Sequence, residues 1–455
     1  MSNEKHNKFQ RLFSGKHGEY RDLTVGKVKS EGAEIGAFFS CSKTHSEKQE
    51  EKINFLGKFI TKPVEEKIYM DIVGYFSNAP STRLACFTEE IVKECSRKST
   101  TYSWMKPDEF EYEVWMGGLR NRYPKVKEEY LTYLSKLVPG YRNLEDYKVN
   151  DLNEKINFKD YIEKYHKFPS SVIINDQEYP LTGIMKNAAV ALFIGDKDWL
   201  GGSCKNTGAY IENINGTDCA VTINIDAGFA ADTDIEPFKI SKNVIPYNAN
   251  YSSTDESKDS IHIDMLSPEL RNEFLQALYL IVHRYPENDI RMDHLLEAIV
   301  RRNGAFNDPS FDHEILTDEN AIKIIDKLKN RINELRETFS VALQEYAHNN
   351  VDLLNELVHQ AQEKDLEFLH HIQETHEEQT SLRQEQIPNE PEHHIDSDEE
   401  IFIEPDENSV NPITPGKSTW SDLFNSINWK KFGIASIGTA AAVAAVAAFS
   451  MKKSF

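Results

Sequence analysis

Hydrophobic residues along this chain recur at two periods, and the period changes with position. Val221, Ile223 and Ile225 alternate with polar neighbours, as do Ile53 and Phe55, which predicts half-buried strands. A β-hairpin is expected between Asn206 and Asp226. The segment Pro63–Phe76 (PVEEKIYMDIVGYF) opens on a proline and sets apolar residues at helical spacing, so it reads as a helix. Gly183–Ile194 (GIMKNAAVALFI) reads as another. Leu131–Tyr147 is an apolar run ended by the turn signal Pro139-Gly140. From Asp264 onward the pattern is helical, in MLSPELRNEFLQALYLIVHRYP and MDHLLEAIVRRNGAF, with an entry at Ser267-Pro268 and breaks at Pro286 and Gly304. Ile325, Leu328, Ile332, Leu335, Phe339, Ala342 and Tyr346 then alternate spacings of three and four over about three heptads. That predicts a helix packed on the rest of the chain, with self-association through it as the second reading.

The far end carries a different signal. Phe432–Met451 runs 20 residues without a charge. That length makes roughly 30 Å of helix, one bilayer crossing. Lys430-Lys431 and Lys452-Lys453 flank it, and Trp420 and Trp429 precede it as interfacial aromatics do. Four residues follow, so the segment reads as a tail anchor with the rest of the chain on the cytosolic side. Ser436, Ala440, Ala444 and Ala448 form a small-residue stripe compatible with helix pairing in lipid. The competing readings are an Ala-rich soluble helix and a secretion signal. Upstream, Glu385–Glu407 holds ten acids and few aliphatics and reads as a disordered spacer.

Composition narrows the classes. A chain of 455 residues has room for about two or three domains. The net charge of −22 argues against a general nucleic-acid binder, which needs Lys and Arg surfaces. Five cysteines, at 41, 86, 95, 204 and 219, have no zinc-ligand spacing and fit free thiols in a reducing compartment. The N-terminal stretch MSNEKHNKFQRLFSGKH has no apolar h-region of a signal peptide. His359, His370, His371, His376, His393 and His394 are scattered among glutamates and read as a solvated helix face. NPITPGKST at 411–419 lacks the first glycine of a phosphate-binding loop and follows no strand, so it is not one.

The chemistry concentrates in Ile194–Ala230, IGDKDWLGGSCKNTGAYIENINGTDCAVTINIDAGFA. Asp196, Asp198 and Asn206 lie before the hairpin and Asp226 directly after it. Phosphoryl transfer needs such a set: a carboxylate facing the nucleophile, with an amide and a second carboxylate holding magnesium against phosphates. Magnesium prefers hard oxygen ligands, which suits Asp and Asn and not Cys204 or Cys219. Taken singly, Asp-Gly and Asn-Gly neighbourhoods are ordinary turn chemistry. Their order around one hairpin is the stronger signal.

This region resembles the catalytic and metal loops of atypical kinases, the superfamily of phosphoinositide 3/4-kinases and HipA-like kinases, as found in type IV-secreted effectors of intracellular bacteria. The motifs carrying the resemblance are GD-x-D, N-x-G and ID-x-G-[FY]-A in this order, over roughly residues 20–260. The resemblance implies Asp198, with Asp196 as rival, as the catalytic acid, and Asn206 and Asp226 as magnesium ligands. The usual separation of the acid and the amide is five residues; here it is eight, with Gly201 and Gly202 in the extra length. Lys58 resembles the small-lobe lysine that contacts nucleotide phosphates, with Glu65 or Glu66 as its partner. Gly26, Gly32 and Gly36 would bring a backbone loop close to phosphates. Leu131–Tyr147 resembles the hinge that passes the adenine.

The expectation is an α+β, two-lobed protein-kinase-like fold followed by a helical region and a transmembrane helix. Its boundaries are 20–125 for the small lobe, 126–262 for the large-lobe core, 263–378 for a helical extension, 379–429 for an acidic linker and 430–455 for the anchor. The expected cofactors are ATP and Mg²⁺, and the acceptor is a protein or a phosphoinositide. The expected setting is secretion into a host cell with the catalytic part facing the cytosol. The alternatives are a kinase-shaped scaffold that recruits proteins to a membrane, and AMP transfer on the same fold.

Overall fold

The computed structural model describes residues 20–28, 36–46, 49–98, 125–126, 129–152, 154–231, 238–242, 244–251, 259–304 and 316–385. Gly32, the acidic segment beyond Glu385 and the apolar segment 432–451 lie outside them. The chain divides into units at residues 369 and 370. Within the second unit the described residues are the end of one helix, where His370 Nδ1 lies 3.4 Å from Glu374. The first unit is α+β.

Its first sheet is built from β1 (Tyr20–Val28), β2 (Gly36–Ser46), β3 (Gln49–Lys58), β4 (Thr82–Phe87), β5 (Lys125–Val126) and β6 (Glu129–Lys136), in the order β1-β2-β3-β6-β4 with β5 on β6. Among the described residues two helices interrupt it in sequence, α1 (Pro63–Phe76) and α2 (Glu89–Lys98). Side chains of a strand point alternately to opposite faces, and here each face has its own core. Phe39, Phe55, Phe87, Tyr130 and Leu134 bury one face together with Val92 and Cys95 of α2. Leu84, Cys86, Leu131 and Tyr133 bury the other face with Ile68, Ile72 and Val73 of α1. Because β6 lies inside this sheet, the passage out of it falls at residues 137–141, after β6, and not at 125/126 where the sequence reading divides the chain. The turn Val138–Tyr141, closed by the Tyr141 N–H on the Val138 carbonyl at 3.1 Å, matches the expected Pro139-Gly140 signal.

A second sheet follows: β7 (Arg142–Asn143), β8 (Lys148–Asp151), β9 (Glu154–Asn157), β10 (Ser171–Ile174), β11 (Gln177–Thr182), β12 (Thr207–Ile214) and β13 (Thr217–Asn224), ordered β7-β12-β13-β11-β10-β8-β9. Short α3 (Phe158–Tyr165) and central α4 (Ile184–Ile194) pack with it. Every residue of α4 except Lys186 is buried, the mark of a helix enclosed on all sides. β12 and β13 pair in register from Thr207↔Asn224 to Ile214↔Thr217, the expected hairpin.

After the one-turn α5 (Gly228–Ala231) and the pair β14 (Val244–Pro246) and β15 (Ser260–His262), the chain is helical: α6 (Pro268–Val282), α7 (Ile290–Gly304), α8 (Asp318–Thr338), α9 (Ser340–Asn349) and α10 (Val351–Glu385). Ser267 caps α6 and Thr317 caps α8 through their side chains, each accepting a backbone N–H of its first turn. The three-four stripe from Ile325 to Tyr346 is broken at Phe339 into α8 and α9, and its buried members join the core that holds α4. α10 carries helix to Glu385, past residue 378 where the sequence reading ends the helical region. Among the described residues no helix is long and apolar enough to cross a membrane.

Candidate active site

Lys58 ends β3 and is 5% exposed. Its register partner on β6 is Tyr133, and Gly36 at the start of β2 pairs with it on the other side. An ammonium group buried this deeply needs countercharge. It has it: Lys58 Nζ donates to Asp226 Oδ2 at 2.8 Å and lies 3.5 Å from Glu66 Oε1. Burial alone would depress the lysine, but the charges of Asp226 and Glu66 and their hydrogen bonds outweigh it and raise its pKa. Of the two acids named from the sequence, Glu66 faces Lys58, itself 3% exposed on α1. No Lys58–Glu65 ion pair accompanies it among the described contacts.

Asp226 is placed by the strand that precedes it and by its own turn. Asn224, buried at the end of β13, accepts the Asp226 N–H through Oδ1 at 2.9 Å, and Asp226 Oδ1 accepts the Gly228 N–H at 3.0 Å. Gly228 is a close-approach glycine: a Cβ there would meet Asp226 Oδ1 at 3.1 Å and Glu66 Oε2 at 3.3 Å. Asn224 is a residue that sequence reasoning missed.

On the other side, α4 ends at Gly195 and the chain turns straight into the acids. The Gly195 and Asp196 N–H groups both donate to the Ala191 carbonyl, at 3.0 and 2.9 Å. Asp196 is 2% exposed and its Oδ1 accepts the Asp198 N–H at 2.9 Å. Burial, then the neighbouring Asp198 charge, pushes its pKa well up. Asp198 is half-buried; its Oδ1 accepts the Ala249 N–H at 2.9 Å, and burial followed by the Asp226 charge raises its pKa against that bond. The two rivals are thus in different places: Asp196 is buried and braces the loop from within, and Asp198 is half-buried beside Asn206.

The extra loop length does not separate Asn206 from Asp198. Residues after Asp198 fold into two successive turns, Gly201 N–H to the Asp198 carbonyl at 2.9 Å and Cys204 N–H to the Gly201 carbonyl at 3.0 Å. Gly201 has φ +77°, a left-handed position, and a Cβ there would press on the Asn206 amide at 3.0 Å. Asn206 Nδ2 then donates to the Asp198 carbonyl at 2.8 Å and lies 3.4 Å from Asp198 Oδ2. The amide oxygen takes no part in either bond. The loop is pinned below by fully buried Trp199, whose Nε1 donates to the Pro246 carbonyl at 2.8 Å, and by the Asn206 carbonyl, which accepts the Ile225 N–H at 2.9 Å.

Helix α8 holds both loops from behind. Arg331, 2% exposed, donates Nε and Nη2 to the Leu192 carbonyl in the last turn of α4, at 3.1 and 2.9 Å, and Nη1 to the Phe238 carbonyl at 2.9 Å. Lys327 Nζ donates to the Ala230 carbonyl, four residues after Asp226, at 2.9 Å. Sequence reasoning missed Arg331, although it had a signal: an arginine at a core position of the Leu328–Leu335 stripe.

Of the sequence-derived set, the structure brings Lys58, Glu66, Asp196, Asp198, Asn206 and Asp226 into one cluster, with Gly36 beside Lys58; Gly32 lies outside the described residues. Among the described residues no group of three or more His, Cys, Asp or Glu side chains could hold a metal by itself. A hard cation held by one carboxylate, one amide oxygen and the phosphates of a nucleotide needs no such group, and Mg²⁺ is commonly bound that way. Asp226 and Asn206 fit that donor chemistry. No family model, curated protein or solved structure matches this chain.

Proposed function

We propose that this chain is an ATP- and Mg²⁺-dependent phosphotransferase of the atypical-kinase type. The reading rests on one observation above the rest. Lys58 lies between Glu66 on α1 and Asp226 after β13, contacts that join residues 8 and 168 positions apart in sequence. A lysine so placed neutralises phosphate charge while its glutamate fixes it. In this reading the first sheet with α1 is a small lobe, α4 with the second sheet is the core of a large lobe, and residues 137–141 are the hinge past the adenine.

Asp198 accepts a hydrogen bond from the acceptor hydroxyl and orients it, and its raised proton affinity suits taking that proton as the hydroxyl oxygen bonds to the γ-phosphorus and the bond from that phosphorus to the bridging oxygen breaks, releasing ADP. Asp196 holds the backbone of Asp198 and does not meet substrate. Asp226 and Asn206 would hold Mg²⁺, which when bound would neutralise charge on the phosphates. The acceptor is an alcohol of a protein or a phosphoinositide. The apolar segment 432–451 supports tethering to a host membrane, where attachment raises the effective concentration of a membrane-bound acceptor.

The test is transfer of label from γ-labelled ATP into a cytosol-plus-membrane extract by the full-length chain, with Asp226→Ala in parallel. Wild type transfers label, and the variant loses about 10³-fold or more in rate. Equal transfer by the variant sinks the metal assignment. Nucleotide binding without transfer by wild type moves the reading to a scaffold or to AMP transfer, which added product mass distinguishes.

A further inference from the structure

α1 carries Glu66 near its start and Tyr75 near its end, so whatever fixes Tyr75 fixes the direction from which Glu66 reaches Lys58. Tyr75 is fixed by α10. Its hydroxyl donates to Asp365 Oδ1 at 2.6 Å, and Asp365, fully buried, also accepts from Arg284 Nη1 at 2.8 Å and from the Tyr285 hydroxyl at 2.9 Å. A carboxylate withdrawn from water persists in a core when its oxygens are paired and bonded in this way. The same stretch of α10 adds Lys364, whose Nζ donates to the Tyr75 carbonyl at 2.8 Å, and Phe368, whose ring lies 5.0 Å from that of Tyr75. Arg284, tied to Asp365, lies over the Phe76 ring at 4.9 Å. One carboxylate on α10 therefore joins the end of α1 to the segment that follows α6. The flank of α1 beside this node borders an open pocket of about 620 Å³ lined by Lys67, Asp71, Arg83 and Phe368.

We propose that Asp365 is a positioning residue for the Lys58–Glu66 pair: acting through Tyr75, it holds α1 at the angle that presents Glu66, and α10 is a working part of the site. The role of the pair in phosphate transfer rests on the reading above; the coupling from Asp365 to Lys58 does not, and two measurements address it without nucleotide.

The experiment uses the full-length chain and the variants Tyr75→Phe, which removes one hydroxyl, and Asp365→Ala. Amide hydrogen exchange is followed in α1, with α4 as internal reference, and acylation of Lys58 by an amine-selective reagent is followed by mass spectrometry. Tyr75→Phe speeds exchange in α1 about three- to tenfold and leaves α4 within about twofold. Lys58 acylation rises about threefold, because a lysine only 5% exposed is reached more often by the reagent when the helix beside it loosens. Asp365→Ala moves both readouts further the same way; should it fail to fold, Tyr75→Phe decides. Equal acceleration in α1 and α4 marks general destabilisation and overturns the proposal, as does faster exchange in α1 with Lys58 acylation unchanged. Absence of phosphate transfer by wild type defeats the functional reading alone, since neither readout depends on turnover.

Discussion

The two sides of the site are held in different ways. Asp196, Asp198, Asn206 and Asp226 are fixed mostly through backbone: turns at Gly201 and Cys204, Asx bonds at Asp196, Asn224 and Asp226, and a buried helix ending at Gly195. Lys58 and Glu66 meet instead through side chains, across a gap between a strand and a helix, and the longer of the two Lys58 contacts, 3.5 Å, is the one to Glu66. Bonds within a loop move with that loop. A pair spanning two elements is only as constant as the packing between them, so the lysine side is where a change elsewhere in the molecule can act.

The largest expected effect lies behind the rigid side. Arg331→Met leaves the carbonyls of Leu192 and Phe238 without their buried donor and costs about 3 kcal/mol of stability, since each unsatisfied buried acceptor costs about 1–3 kcal/mol. Chemical denaturation measures it, and a loss under about 0.5 kcal/mol would mean that the α8 bracket is not what holds the α4 end. Glu66→Gln tests the adjustable side: in the proposed reading phosphate transfer falls about 10- to 100-fold with thermal stability nearly unchanged. A loss of stability matching the loss of rate would remove the contrast between the two sides.

Asp198→Asn has the smallest structural effect and sharpens the electrostatics. In the proposed reading it abolishes turnover, and it stabilises the fold at neutral pH, because a partly buried carboxylate that feels the Asp226 charge is replaced by a neutral group. The sign follows from linkage. A carboxyl whose folded pKa is raised above its ordinary 3.8 destabilises the fold at pH above the folded value. Acid removes that penalty, because the folded chain takes up the proton first. The stability gap between variant and wild type is therefore full at pH 7 and shrinks as pH falls toward 4, which thermal melts across that range measure. A gap that widens in acid would show the carboxylate to be net stabilising. Lys58 behaves oppositely: its raised pKa contributes stability that is complete below the ordinary 10.5 and disappears as pH rises through the folded value.

Much of this was legible in order of residues. The helix at Pro63–Phe76 begins on its proline, the hairpin follows its alternation, and α4 follows its unbroken apolar run, because period and punctuation are local properties of the chain. The acids and the amide of the site could be named because they flank that hairpin. What the sequence left open was decided by contacts between distant segments. Glu65 and Glu66 are indistinguishable as letters, and the rotation of α1 against β3 turns Glu66 toward Lys58. Asp196 and Asp198 differ through the end of α4, which buries the first and leaves the second half-open. The eight-residue spacing to Asn206 looked like a departure, and two turns absorb it. Arg331 and Asp365 act across 139 and 290 positions of sequence, on Leu192 and Tyr75. By itself the sequence determined the elements and the chemical identity of the groups; tertiary structure decided which groups face one another, because burial and ion pairing depend on distances that no local pattern encodes.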